Sequence, residues 1–366
     1  MNKKLAIIGA ATGQLPLCIQ AKKMHVETFC FAWPKDAICK NFVDHFIPIS
    51  IMEMDKIVDY CRENEIDGIV SNASETTAGV ASYVSSRLDK IGTPYETFKL
   101  IQNKAYVRNM TNKIIGLPAV NYKVGNLEDI ISTFPRPFVL KPVKGAAKIG
   151  VNYVDDAIQD IEIPTSLKGM LFMAEEFIEG KEFSVESMSY SGRHQVIQIT
   201  EKISSGPPHF IELEHHQPAV LKDEVRDKIL ILIPKILTAV GYTDGASHIE
   251  IKVDEKGNVY LIEVNPRGGG DEISNTLIGL STDYNFPEQL ILVSLGEYEF
   301  PTIHNVACSG IYYLTSYSSR LIQYFNNKPE IWEVIRERTA TEITEATSNY
   351  DRDGYIVYRS SKKIVL

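Results

Sequence analysis

Apolar and polar positions alternate along this chain in two different ways, and the change between them divides it. Up to about residue 98, short apolar runs of strand length at 5–8, 26–32, 46–49 and 68–70 are separated by helix-length stretches ending at Met24, Glu65 and Leu88. That order predicts a doubly wound α/β unit. Further on, a helix is predicted over 101–116 and strands over 138–142, 171–178 and 183–188. A turn at Ser191-Gly192 sends a strand back to Glu201-Lys202, and a helix follows over 222–240. After a helix over 286–295, Phe300-Pro301 marks a second change, with a strand over 307–314, a helix over 330–338 and a turn and strand over 351–357. Three units are read from this: 1–98, 99–300 with a lid at about 118–175, and a small α+β appendage at 301–366.

The chemistry gathers in residues 248–271. Ile249, Ile251 and Val253 alternate with His248, Glu250 and Lys252, and the alternation resumes from Val259 to Val264, so a hairpin is predicted. A two-residue turn at Lys256-Gly257 and a four-residue turn at 255–258 give the same register, with Glu250 opposite Glu263 and His248 opposite Asn265. Like charges across a ladder repel. The face therefore either lies open to water or holds a cation, and carboxylate and amide oxygens suit Mg2+. A solvated hairpin face explains the carboxylates equally well. Arg267 followed by Gly268-Gly269-Gly270, where backbone amides can approach an anion, favours a site beside phosphate.

Composition narrows the partners. With 366 residues, 44% of them hydrophobic, the chain can bury a sizeable core, and its net charge of -9 comes without any basic tract to follow a nucleic acid. Small-molecule substrates are expected, with no nucleic acid and no membrane as partner. No apolar run has bilayer-spanning length and the start lacks a signal-peptide pattern, so a cytoplasmic location is the expectation, with a homodimer as the assembly considered. The five cysteines show no C-x-x-C spacing and read as reduced and structural. The first turn, Gly9 to Gly13, lacks the G-x-G-x-x-G spacing, and the strand ending at Ala32-Trp33-Pro34 offers no acid to a ribose, which argues against a dinucleotide site.

Glu250 followed by Glu263, Asn265, Pro266 and Arg267 in an E-x-N-P-R pattern resembles the metal-binding end of the ATP-grasp superfamily of carboxylate-amine ligases. Other segments fall in the family's order. Asn103-Lys104 to Arg108 is similar to D-K-x-x-x-R with asparagine for aspartate, Lys141 ends a strand, and 143–151 resembles the phosphate flap, with Ala146 and Ala147 in place of hydroxyls or glycines. E-E-F-I-x-G-x-E at 175–182 resembles the adenine hinge, and E-x-x-H-x-x-P at 212–218 resembles relatives that join amino acids, the L-amino acid ligases.

The resemblance implies ATP and Mg2+ (or Mn2+) as cofactors. Lys104, Lys141, Lys148 and Gly145 would meet phosphates, Glu175, Glu176, Phe177 and Ile178 the adenine, and Glu182 the ribose. Glu250, Glu263 and Asn265 would hold metal, Lys202, His215 and Arg267 would act in catalysis, and Glu75, Gly269 and Gly270 would face substrate. It also implies an ADP-forming ligase working through an acyl phosphate. A bicarbonate-activating enzyme and a non-catalytic ATP-binding protein are the alternatives. Residue by residue, plainer readings stand beside these: an exposed helix lysine for Lys104, a helix cap for Ser74, and a zinc site for His215-His216, which lacks a third ligand at metal spacing.

Overall fold

The computed structural model describes residues 3–145, 149–156, 161, 163–340 and 342–366. Its first sheet takes β1 (Lys4–Ile8), β2 (Glu27–Phe31), β3 (His45–Ile47) and β4 (Gly68–Val70) in the parallel order β3-β2-β1-β4. Both faces of β1, β2 and β4 are covered, which is why these strands are mostly apolar, while the edge strand β3 is only half-buried. Leu5 and Ile7 pack against helices Leu15–Lys23 and Phe286–Leu295, while Ala6 and Ile8 pack against Met54–Glu63 and Glu75–Arg87. A helix from late in the chain therefore closes the first sheet. Ser74 Oγ accepts from Thr77 N at the start of Glu75–Arg87, so Ser74 is a helix cap.

A second, antiparallel sheet joins β5 (Tyr122–Gly125), β6 (Phe138–Pro142), β7 (Asn152–Val154) and β8 (Phe172–Glu176) in the order β5-β8-β6-β7. Ile130, Phe138, Leu140 and Phe172 give it a small core of its own. The helix expected over 101–116 is two helices, Tyr95–Ile101 and Lys104–Thr111. The break is chemical: the Asn103 side chain accepts from Tyr106 N and so caps the second helix, with Lys104 as its first residue.

The third sheet is the largest, formed by β9 (Lys181–Tyr190), β10 (Arg193–Ser204), β11 (Glu212–Gln217), β12 (Gly245–Val253), β13 (Val259–Asn265), β14 (Cys308–Leu314), β15 (Glu333–Arg338) and β16 (Gly354–Ser360). Its order is β13-β12-β9-β10-β11-β14-β16-β15, so the strands after residue 300 extend the same sheet. One face buries Phe183, Val185, Ile249, Ile251 and Leu261 against Leu232, Ile233 and Ile236 of helix Asp223–Ala239. The alternate residues, among them Glu186, His248, Glu250 and Lys202, point the other way. The helix expected over 330–338 is β15, paired antiparallel with β16. Val334 and Ile335 are β-branched and β16 offers an edge, so strand pairing overrides the helical preference of the flanking Glu and Arg. Among the described residues no helix is long and apolar enough to cross a membrane.

One tie fixes the site hairpin to the sheet beneath it. Glu186 on β9 is fully buried; its Oε1 lies 2.5 Å from His248 Nδ1, and its Oε2 accepts from Gly269 N at 2.9 Å. Burial works to lower the His248 pKa, but Glu186 and then Glu250 outweigh it and push it from the ordinary 6.5 up to about 9. The folded state holds this proton more tightly than the unfolded chain does. Its contribution to stability is therefore complete below 6.5 and is lost as pH rises through about 9. Denaturant unfolding without nucleotide or divalent metal should show stability falling by roughly 3 kcal/mol across that window. His248→Gln should remove most of that slope, and an unchanged slope in the variant would show that the proton sits elsewhere.

Candidate active site

The second and third sheets face each other across a cleft of about 410 Å3. Near the turn of the hairpin Ile251 pairs with Leu261 and Val253 with Val259, one residue off the expected register, with a bulge between Glu250 and Ile251. At the centre of the cleft Glu250 stands opposite Glu263 and His248 opposite Asn265, as expected. The repulsion across this rung is answered by two lysines from other elements. Lys104 Nζ lies 2.9 Å from Glu263 Oε1, and Lys202 Nζ lies 2.8 Å from Glu250 Oε1 and 3.1 Å from Glu212 Oε1. Burial alone would lower the Lys202 pKa, but Glu212 and Glu250 raise it well above the ordinary value, so the ammonium stays charged. Asn265 Nδ2 reaches Glu263 Oε2 at 3.5 Å. Among the described residues no three His, Cys, Asp or Glu side chains form a complete metal cage. Two carboxylates and an amide oxygen fit a hard cation that takes the rest of its shell from water and phosphate.

Lys141, which the resemblance places at phosphate, has a counter-ion inside the protein: Glu175 lies 2.5 Å from its Nζ, and the second Glu175 oxygen takes Arg108 Nε at 2.5 Å. Burial works to raise the Glu175 pKa, and Lys141 and Arg108 bring it below the ordinary value. The Glu175 side chain is thus a buried counter-ion between two cations. Lys141 still lines the cleft.

The hinge is similarly committed in part. Glu176 N donates to Asn121 O and Phe177 N to Pro137 O, so these two amides serve the backbone, while Glu176, Phe177 and Ile178 all line the cleft. Lys252 binds the hinge from below, its Nζ 3.0 Å from Ile178 O, 3.3 Å from Glu182 and 4.6 Å over the Phe177 ring. Gly145 has φ +153, which favours glycine, and its carbonyl accepts from Lys104 Nζ at 2.7 Å. Ala146, Ala147 and Lys148 lie outside the described residues.

At the far end stand Arg267, Gly270, His215 and Asp271. The glycine run is not the open anion cradle expected. A Cβ on Gly268 would meet Asn72 Oδ1 at 2.2 Å, and one on Gly269 would meet His248 Nδ1 at 2.8 Å, while the Gly269 amide is taken by Glu186. These two glycines allow close packing, and Gly270 is the member that lines the cleft. Glu75 lines a side cavity of about 20 Å3 beside Lys104 and accepts from Gln102 at 3.0 Å, and it does not line the main cleft. His215 is fully buried with Nε2 3.9 Å from Asp271 Oδ2.

Several residues of the cleft were not assigned from the sequence. Arg108 and Glu212 belong to the segments 103–108 and 212–218, whose resemblance implies no role for them. Glu186 carried a usable signal, a lone charge in the buried run Ser184-Val185-Glu186-Ser187. The ion pair between Asp271 and Arg352, 81 positions apart, had none.

Residues 134–276 match the ATP-grasp domain family. The chain is 26% identical over 246 residues to the alanine–anticapsin ligase of Bacillus subtilis strain 168, covering 59% of this chain and 52% of that protein. It is 23% identical over 250 residues to the D-alanine–D-alanine ligase of Zymomonas mobilis, covering 62% of this chain and 76% of that one. The chain therefore spans about half the length of the alanine–anticapsin ligases it matches. The solved L-amino acid ligase of Bacillus licheniformis superposes with a TM-score of 0.81 over 99% of this chain and 94% of its own, at 24% identity. Residues 134–276 thus match the ATP-grasp domain, and the chain as a whole has the fold of that solved structure.

Proposed function

We propose that this protein is an ATP-dependent, ADP-forming ligase that activates a carboxylate as an acyl phosphate and joins it to an amine. The observation that carries the reading is the rung where Glu250 and Glu263 face each other in the cleft, each with a lysine against it. A cation-binding carboxylate pair surrounded by fixed ammonium groups is the arrangement that phosphoryl transfer asks of a protein.

In this reading ATP lies along the cleft with its adenine beside Phe177 and Ile178 and its ribose near Glu182. Its phosphates run toward Lys141, Lys104 and Gly145. Mg2+ (or Mn2+), held by Glu250, Glu263 and Asn265, would neutralise charge on the bridging phosphates. Lys104 and Lys202 follow the negative charge as the γ-phosphoryl group passes to the substrate carboxylate, and Arg267 steadies the acyl phosphate until the amine displaces phosphate. The names of the similar proteins, both ligases of alanine, favour an amino acid as the first acid to test. Small molecules are the partners in this reading.

Glu263→Gln keeps the shape and relieves repulsion across the rung, so the variant should fold while metal-dependent ADP release drops by about 10²-fold. Undiminished release from folded protein would remove the metal role. The wild type should release ADP and phosphate when a suitable carboxylate is present, and hydroxylamine in place of the amine should yield a hydroxamate. Dependence on bicarbonate would point to the carboxylase-type alternative, no release with any acid to a binding protein, and AMP with pyrophosphate would falsify the mechanism.

A further inference from the structure

The substrate end of the cleft holds groups that the reaction above leaves unused. Arg352, from the turn before β16, pairs through Nη2 with Asp271 Oδ1 at 2.6 Å, and its Nε donates to Asn349 O at 2.8 Å. Its guanidinium carbon lies 3.9 Å from the centre of the Tyr313 ring. The His215 ring meets the same tyrosine edge-on at 5.7 Å. His215, Asp271, Asn349 and Arg352 all line the cleft that contains Lys202 and Arg267. Burial works to raise the Asp271 pKa, but His215 and Arg352 hold it well below the usual carboxylate range, so the pair stays ionised.

This corner is unfinished. Arg352 Nη1 and both ring nitrogens of His215 are buried and meet no hydrogen-bond partner among the described residues. A buried polar atom without a partner carries its full desolvation cost, so three at one end of a cleft mark where a polar group of a ligand belongs. Asp271 and Glu272 both hold left-handed backbone, φ 52 and φ 62, a conformation that the surrounding structure must enforce. The Asp271 side chain is thereby fixed at the arginine. The remaining contacts select the ligand. Arg352 can only donate, an imidazole can donate from one nitrogen, and Arg267 adds a further cation nearby. An ammonium would be repelled and an alkyl group would leave all three atoms unmade, whereas a carboxylate accepts from both donors.

We infer that Arg352 and His215, with Asp271 as anchor, bind a substrate carboxylate other than the one that is activated. This rests on the ligase reading for what the cleft holds. The carboxylate has two sources: the amine substrate, if that is an amino acid, or the second acid group of a dicarboxylate donor. The residues after Phe300 thereby enter substrate selection through Arg352.

Calorimetry on the full chain with Mg2+ and a non-hydrolysable ATP analogue separates these sources. One arm compares amino acids with their carboxamides, and the other compares aspartate and glutamate with asparagine and glutamine. In at least one arm the free carboxylate should bind about tenfold or more tightly than its amide. Arg352→Lys keeps a charge for Asp271 but loses the second arm of the fork, and should bring that ratio close to one with little change in melting temperature. Asp271→Asn with Arg352→Met removes the pair without stranding a charge and should have the same effect on the ratio. Ratios near one in both arms of the wild type, or a full ratio surviving in both variants, overturn the assignment. Absence of ADP release would overturn the ligase reading instead, and the binding ratios would still decide the role of Arg352.

Discussion

Glu250 and Glu263 stand opposite each other across β12 and β13, a pairing that by itself destabilises the ladder. What makes it tolerable comes from elsewhere in the chain. Lys104 reaches Glu263 from the first turn of its helix, and Lys202 reaches Glu250 from β10. Removing either lysine would leave a carboxylate facing a like charge. The positions of a helix, a hairpin and a neighbouring strand are therefore coupled through two ion pairs, and the cleft takes its form from that coupling.

The hairpin was legible in the sequence because its information is local. Alternation on both arms pointed to the rung between Glu250 and Glu263, but the turn-side pairs Val253–Val259 and Ile251–Leu261 run one residue off the expected register, and a bulge between Glu250 and Ile251 restores it. The outer α/β layers were legible for a similar reason, since apolar runs buried on both faces look alike wherever they occur. Non-local pairing was hidden. Glu175 read as a hinge residue because its partners, Arg108 and Lys141, lie on other elements, and nothing in E-E-F-I shows that its side chain turns inward. Segment 330–338 misled for the same reason: the edge of β16 that it joins lies further along the chain.

The glycine run shows how one residue type can support two opposite readings. Three consecutive glycines fit an anion cradle, in which amides are exposed, and equally fit a tight crossing, in which amides are consumed. Glu186 decides between them at Gly269. A fully buried carboxylate needs donors, and it takes the Gly269 amide together with His248. With no Cβ at 269 the loop comes close enough to supply that bond. Gly268 makes a similar approach to Asn72 from the N-terminal layer, so the loop is also where two parts of the fold meet.

In the proposed reading, charge balance in the cleft bears on how a nucleotide would enter it. Lys104, Lys141, Lys202 and Arg108 are matched in direct ion pairs by Glu263, Glu175, Glu212 and Glu250. The four cations and four carboxylates leave this set without net positive charge, so it is not a trough that draws in polyphosphate by field alone. A free triphosphate would gain lysine contacts only by competing with carboxylates already in place. A divalent cation arriving with it changes that, because the carboxylates turn to the metal as the ammonium groups turn to phosphate, and each exchange removes the obstacle to the other. Metal and nucleotide should therefore bind this cleft as one charged unit, each poorly without its partner.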